Sequence, residues 1–160
     1  MHLDGHCPGC GGGEGNQSCK IARCSLQHGN PEYCSQCQEF PCKKYEDIDG
    51  FDSFVTHQNQ KRDLEKQQEI GVEAYRAEQE EKIRILEWLL QNCNDGRKKT
   101  FFCVAVNLLE LEDVRNVKEQ IKSDETFGEL SLKEKAAYVT GQFQKAADKQ
   151  GIVLKLRKKK

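Results

Sequence analysis

The placement of its cysteines constrains this 160-residue chain more than any other feature. Seven of the nine cysteines fall within residues 7–42, in the order Cys7-x2-Cys10, Cys19-x4-Cys24 and Cys34-x2-Cys37-x4-Cys42. Residues 1–50 also hold all three prolines and most of the glycines, but few large aliphatic side chains. Such a segment cannot bury enough apolar surface to offset the entropy lost on folding. We therefore expect covalent or coordinative bonds to hold it together.

The two Cys-x2-Cys pairs are typical of zinc knuckles, in which a tight turn aims both sulfurs at one ion. A disulfide framework is disfavoured, because the number of cysteines is odd and the amino terminus has no apolar signal segment. The expected ion is Zn²⁺, and an iron–sulfur cluster is the alternative because it uses the same thiolates. The predicted metal ligands are Cys7, Cys10, Cys19, Cys24, Cys34, Cys37 and Cys42.

Ligand counting leaves the number of ions open. Two tetrahedral sites need about eight ligands, one more than the cysteines supply. His28, four residues after Cys24, is the candidate additional ligand, and His6 is its rival. One predicted partition joins the two knuckles, Cys7, Cys10, Cys34 and Cys37, and leaves Cys19, Cys24 and Cys42 as a second group. A sequential partition, with Cys7, Cys10, Cys19 and Cys24 together, is the alternative, and so is one site plus a looser trio of thiols.

Residues 51–160 have a different character, since they lack proline and are rich in helix-forming residues. Apolar residues at three-and-four spacing between Leu64 and Leu90 predict helix, with a break at Gly71 as likely as a continuous rod. The segment 92–96 predicts a stop and turn. Residues 100–111 are predicted to be helical, because the apolar residues up to Ile121 continue the same spacing.

The carboxy-terminal part begins with Ser131-x2-Glu134, a capping-box pattern that predicts a helix ending near Gly151. Alternating apolar residues then predict a short extended tail. The predicted fold is mostly α: a small irregular Cys-rich, metal-stapled module over 1–50 and a helical body over 51–160, with the extended tail at its end. The side chains expected to dock the module on the helices are Ile21, Leu26, Phe40 and Tyr45.

Composition excludes some classes of function. The net charge of −1 argues against a surface built wholly for nucleic acid or anionic membrane. No run of about 18 apolar residues is present, so we expect no membrane span and a cytoplasmic location. Residues 93–160 hold 15 Lys and Arg against 10 Asp and Glu, and the basic tail 155–160 is the basis for a nucleic-acid-binding alternative. Such a tail is more often a simple soluble chain end.

The two cysteines outside the cluster do not predict an enzyme. Cys103 lies in an apolar segment typical of core packing, although a dyad with His57 is an alternative. Cys93, in a polar turn, is predicted to be a reactive surface thiol or to have no role. Neither completes a set of nucleophile, base and charge stabiliser.

The segments Cys7-Pro8-Gly9-Cys10, Cys19 to Cys24 and Tyr33 to Cys42 resemble a prokaryotic cysteine-rich family known as the domain of unknown function three-seven-nine-five. Residues 70–75 and 151–157 are also similar to members, so the likeness extends over most of the chain. The resemblance implies metal binding, presumed to be zinc, and no reaction or substrate. Longer members begin with a further Cys-Gly-x2-Cys-x2-Cys-Pro segment, which this chain lacks.

The sequence therefore predicts a zinc-binding module that presents a surface to an unidentified protein partner. An iron–sulfur or thiol redox protein and a nucleic-acid-binding zinc module are the alternatives.

Overall fold

The computed structural model describes residues 20–46, 48, 50–52 and 56–158. These residues are mostly α-helical and contain no strand, which confirms the predicted fold class. Their α-helices are α1 (Lys20–Gln27), α2 (Gln60–Ile70), α3 (Val72–Asn92), α4 (Lys99–Leu108), α5 (Leu111–Ser123) and α6 (Leu132–Lys149). Short 3-10 helices cover Cys34–Gln36, Lys43–Tyr45 and Glu125–Glu129. In this described part of the chain, no helix has both the length and the apolar character needed to cross a membrane.

The helix boundaries follow local sequence rules in most places. Gly71 adopts a positive φ of 85° between α2 and α3, so of the two alternatives, a break and a continuous rod, the break is present. The helix predicted over 100–111 is present as α4. The chain then leaves helical geometry at Leu109 and Glu110, whose ψ angles are 151° and 154°. The later apolar residues, including Ile121, therefore belong to a separate helix, α5.

Helices α3 to α6 enclose the hydrophobic core. α3 packs against α4 and α5, and α6 packs against the same two helices. The largest fully buried side chains include Phe102, Phe143, Ile85, Leu89, Leu108, Leu109 and Ile121. α2 lies outside this core, against α3, and it connects the core to the cysteine segment.

Side chains from α2 and α3 satisfy the carboxy-terminal end of α4. The Lys82 ammonium is buried and donates to the Leu109 carbonyl at 2.6 Å. The Asn59 amide donates to the Leu108 carbonyl at 3.1 Å, and the Arg62 guanidinium reaches the same oxygen at 3.3 Å. Helix ends leave carbonyls without intrahelical partners, so these contacts explain why a lysine can be buried here. Desolvation lowers the pKa of Lys82.

A buried carboxylate at the start of the body, that of Asp52, connects to the carboxy-terminal tail. Asp52 accepts hydrogen bonds from the backbone N–H groups of His57 at 2.9 Å and Arg157 at 2.7 Å. The Asp52 N–H in turn donates to the Arg157 carbonyl at 2.8 Å. The tail therefore folds back on residue 52 without forming a strand among the described residues.

The predicted capping box at Ser131 supplies a stability test. The Ser131 hydroxyl accepts from the Glu134 N–H, and the Glu134 carboxylate accepts from the Ser131 N–H at 2.9 Å. Ser131→Ala should lower the free energy of unfolding by about 1 kcal/mol in a urea titration. The control, Ser123→Ala, removes an exposed serine at the end of α5 and should change it by less than about 0.5 kcal/mol. Equal effects of the two substitutions would contradict the assigned cap.

Candidate metal centre

Three short elements bring four cysteines together. α1 carries Cys24, and the chain reverses after it through Gly29 and Asn30, whose φ angles are 82° and 55°. The 3-10 helix Cys34–Gln36, called here the Cys34 turn, carries the next thiol. Cys37 follows it directly, and its N–H donates to the Cys34 carbonyl at 3.0 Å.

Cys42 completes the group, at the start of the 3-10 helix Lys43–Tyr45. Its carbonyl accepts from the Tyr45 N–H at 2.9 Å. We call the four residues Cys24, Cys34, Cys37 and Cys42 the thiol cluster. All four are partly buried free cysteines.

The thiol cluster lines a single cavity of about 20 Å³. That volume suits one water-sized occupant. The other residues that line it are Ile21, Ser25, His28, Pro31, Phe40, Lys44 and Tyr45. The cavity is thus bounded mainly by sulfur atoms and apolar groups.

Electrostatics in the cavity disfavour a bare thiolate at Cys34. Burial raises the pKa of the Cys34 thiol, while a hydrogen bond with the Tyr45 side chain acts in the opposite direction. Negative charge on each of the other three cysteines of the cluster raises the pKa of Cys34 further. Four thiolates in this space therefore repel one another, and a bound cation would remove that repulsion.

A histidine lies beside the cluster. The Cys24 sulfur and His28 Nδ1 are 3.2 Å apart, which is a hydrogen-bond distance for sulfur. The other ring nitrogen, Nε2, lies 3.5 Å from a carboxylate oxygen of Glu39. The imidazole is thus placed between a thiol and a carboxylate, and both of its nitrogens have a partner.

The structure places four of the seven predicted ligands, and His28, around one cavity. Cys7, Cys10 and Cys19, like His6, lie outside the described residues, so each of the three predicted partitions of the ligands stays a prediction. Among residues 20–46, 48, 50–52 and 56–158, no group of three or more His, Cys, Asp or Glu side chains is arranged to hold a metal ion. The thiols are gathered, but their present side-chain positions do not form a coordination site.

The module contacts the body through polar and aromatic side chains. Ser35, in the Cys34 turn, is buried and donates its hydroxyl hydrogen to the Gln67 side-chain oxygen. The Ser35 carbonyl accepts from the Gln68 amide at 2.7 Å. Tyr33 packs edge-on against Tyr75, with ring centroids 6.0 Å apart. Sequence reasoning missed these residues, because nothing local marks a serine or glutamine as an interface residue.

The four side chains predicted to dock the module on the helices differ in how far they are buried. Ile21 and Tyr45 are buried, and Phe40 packs edge-on against Tyr45 at 5.3 Å between ring centroids. All three line the cavity of the thiol cluster. Leu26 is 50% exposed, so the prediction was wrong for this residue. It lies five positions after Ile21 on α1, which turns it away from the face that Ile21 buries.

The two cysteines of the body are poorly suited to nucleophilic chemistry. Cys93 is fully buried, and burial raises the pKa of its thiol to about 11. The interpretation of Cys93 as a surface thiol was therefore wrong, because the turn that follows α3 folds its side chain into the core. Burial also raises the pKa of Cys103.

Comparison with known proteins finds one family model that matches the amino-terminal segment. Residues 1–47 match the family model described as "Protein of unknown function (DUF3795)". The matched segment contains all seven clustered cysteines, whereas a likeness over most of the chain had been expected. Neither the curated proteins nor the solved structures contain a match to the chain. The comparison thus connects the cysteine segment to a family without assigning it a reaction.

Alkylation with iodoacetamide tests the assignment of Cys93. At pH 7 the native protein should leave Cys93 unmodified, because its thiol is inaccessible and protonated. Peptide mass spectrometry after a short reaction measures the modified fraction, and the same reaction in urea should label Cys93 fully. Rapid labelling of Cys93 in the native protein would contradict its assigned place in the core.

Proposed function

We propose that the amino-terminal module binds Zn²⁺ through the thiol cluster, and that the protein acts by binding rather than by catalysis. The observation that carries the proposal is the convergence of four cysteines on one cavity of about 20 Å³. Zinc in structural sites is almost always held by four ligands in a tetrahedron, and a set of four thiolates is one of its standard donor sets.

The donor set fits the ion in number, in chemistry and in the size of the cavity. Four sulfur ligands complete a tetrahedron and leave no open position, which is typical of a structural site. Since the described side chains are not yet arranged to hold an ion, coordination requires rotation of cysteine side chains toward the cavity centre. Loss of the thiol protons accompanies binding, so the affinity should fall as the pH is lowered.

The energetic role of the ion follows from the composition of the module. Between residues 20 and 46, only Ile21, Ala22 and Tyr45 are buried apolar side chains. Zinc in small modules contributes about 10–16 kcal/mol of apparent binding free energy, and much of it is folding free energy. An ion in the thiol cluster would therefore supply the stability that the apolar interior does not.

His28 is placed outside the ligand set by this proposal. With four thiolates on the ion, the His28 ring would donate a hydrogen bond from Nδ1 to the Cys24 sulfur. Glu39 would hold the opposite ring nitrogen. Partners of this kind orient metal ligands and reduce their excess charge.

A serine series tests the ligand assignment. The variant Cys7→Ser/Cys10→Ser/Cys19→Ser should retain one zinc ion per chain, because the thiol cluster is intact. Adding Cys37→Ser to that variant should abolish the zinc. Adding Cys103→Ser instead is the matched control and should leave the zinc content unchanged. Elemental analysis of protein purified without added metal measures the stoichiometry.

Two outcomes of this series would contradict the assignment. One is a triple variant that holds no zinc. The other is full zinc content after Cys37→Ser has been added. A brown protein with strong visible absorbance would indicate that the same thiols hold an iron–sulfur cluster and not zinc.

The contact between Cys24 and His28 favours thiol redox chemistry as a second candidate function. The thiolate is the nucleophile in thiol–disulfide exchange, and a ring nitrogen of His28 lies within hydrogen-bond distance of the Cys24 sulfur. This candidate predicts metal-free protein in which Cys24 is alkylated faster than Cys34, with the difference abolished by His28→Ala. The zinc proposal predicts instead that both cysteines are protected until a chelator removes the ion.

A further inference from the structure

We propose that the α2–α3 hairpin sets the affinity of the thiol cluster for its ion, by holding the Cys34 turn in the conformation that binds metal. The inference rests on the proposed function, and it assigns a positioning role to residues of the body that do not contact the ion.

The first observation is that the Cys34 turn contacts the cavity on one side and α2 on the other. Cys34 and Cys37 line the cavity, whereas Ser35, between them, is 6% exposed and faces α2. The Ser35 hydroxyl donates to Gln67, and the Ser35 carbonyl accepts from Gln68. Two consecutive glutamines of α2 therefore hold the hydroxyl and the carbonyl of Ser35, one of the two residues between the predicted ligands Cys34 and Cys37.

The second observation is that the residues just before the Cys34 turn contact α3, which follows the break at Gly71. Just before the Cys34 turn, Glu32 forms an ion pair with Arg76 of α3. Its neighbour Tyr33 packs against Tyr75 of the same helix. The segment that leads into the turn is thus held by α3, and the turn itself is held by α2.

The consequence follows from thermodynamic linkage. If the hairpin contacts favour the metal-binding conformation of the turn, weakening them lowers the population of that conformation. The apparent dissociation constant for the ion then rises in inverse proportion to that population. Linkage is reciprocal, so bound metal should strengthen the contact between module and hairpin by the same factor.

The alternative is that these contacts are packing only. Weakening them would then lower the stability of the protein, while the affinity of the assembled site for zinc would stay the same. Metal affinity therefore separates the two cases, whereas a melting temperature does not.

The experiment measures zinc affinity of the full-length chain by competition with a chromophoric chelator at pH 7. Gln67→Ala removes the oxygen that accepts from Ser35, and it should raise the dissociation constant about tenfold. Arg76→Ala should raise it about threefold, because the lost pair is exposed. The matched control is Arg84→Ala, which removes an exposed ion pair of α3 with Glu80, and it should have no effect.

If Gln67→Ala does not fold, Arg76→Ala keeps the test decisive, and a conservative variant checks the role of the acceptor oxygen of Gln67. Gln67→Glu retains an acceptor oxygen for the Ser35 hydroxyl and should bind zinc within about threefold of the wild type. Circular dichroism at 222 nm checks that each variant keeps its helices. On addition of zinc, the backbone amides of Gln67, Gln68 and Arg76 should also shift in ¹H–¹⁵N spectra.

The outcomes separate this inference from the proposed function. A wild-type chain that binds no zinc overturns both. A wild-type chain that binds zinc, with Arg76→Ala and any folded Gln67→Ala both within twofold of it, overturns only the role of the hairpin. If Arg84→Ala weakened zinc binding as much as Arg76→Ala does, the role of the hairpin would also be overturned, since the effect would then not depend on contact with the module.

Discussion

The convergence of four thiols on one small cavity is the constraint from which the rest of the amino-terminal module follows. A segment with three buried apolar side chains between residues 20 and 46 has too little hydrophobic surface to offset its chain entropy. Its short elements are arranged around the cysteines instead. One α-helix and two 3-10 helices place the thiol cluster around a single cavity. The proposed coordination of an ion at that point would explain both the density of cysteines and the small number of aliphatic residues.

The body has the hydrophobic core that the module lacks. Helices α3 to α6 have a continuous hydrophobic core, and α2 extends from it as the surface on which the Cys34 turn lies. The contact is polar, built from Ser35 with two glutamines and from an ion pair, so it depends on geometry more than on buried area. A contact of this kind is well suited to transmit the state of the thiol cluster, because hydrogen bonds are lost when the turn changes shape. The two parts are therefore expected to respond to each other.

Sequence reasoning succeeded where structure follows local rules. The mostly α fold and the capping box at Ser131 could be predicted, because helix propensity and cap chemistry operate over a few residues. A break at Gly71 was only one of two alternatives, since glycine permits a positive φ without requiring it. The end of α4 could not, since no glycine or proline marks Leu109 and Glu110. Nor could the buried Lys82, which lies in a charge-rich stretch and finds its partner in a carbonyl 27 positions away in the chain. The grouping of Cys24 with Cys34, Cys37 and Cys42 likewise depends on how α1 folds over the turns that follow it.

The central claim is that an ion, rather than an apolar interior, stabilises the module. Amide hydrogen exchange of the zinc-loaded and chelator-treated protein tests it most directly, because protection is measured for each segment separately. Chelation should abolish protection in α1 and around the Cys34 turn, while α3 to α6 should keep theirs. Unchanged protection of α1 and the Cys34 turn in metal-free, fully reduced protein would contradict it.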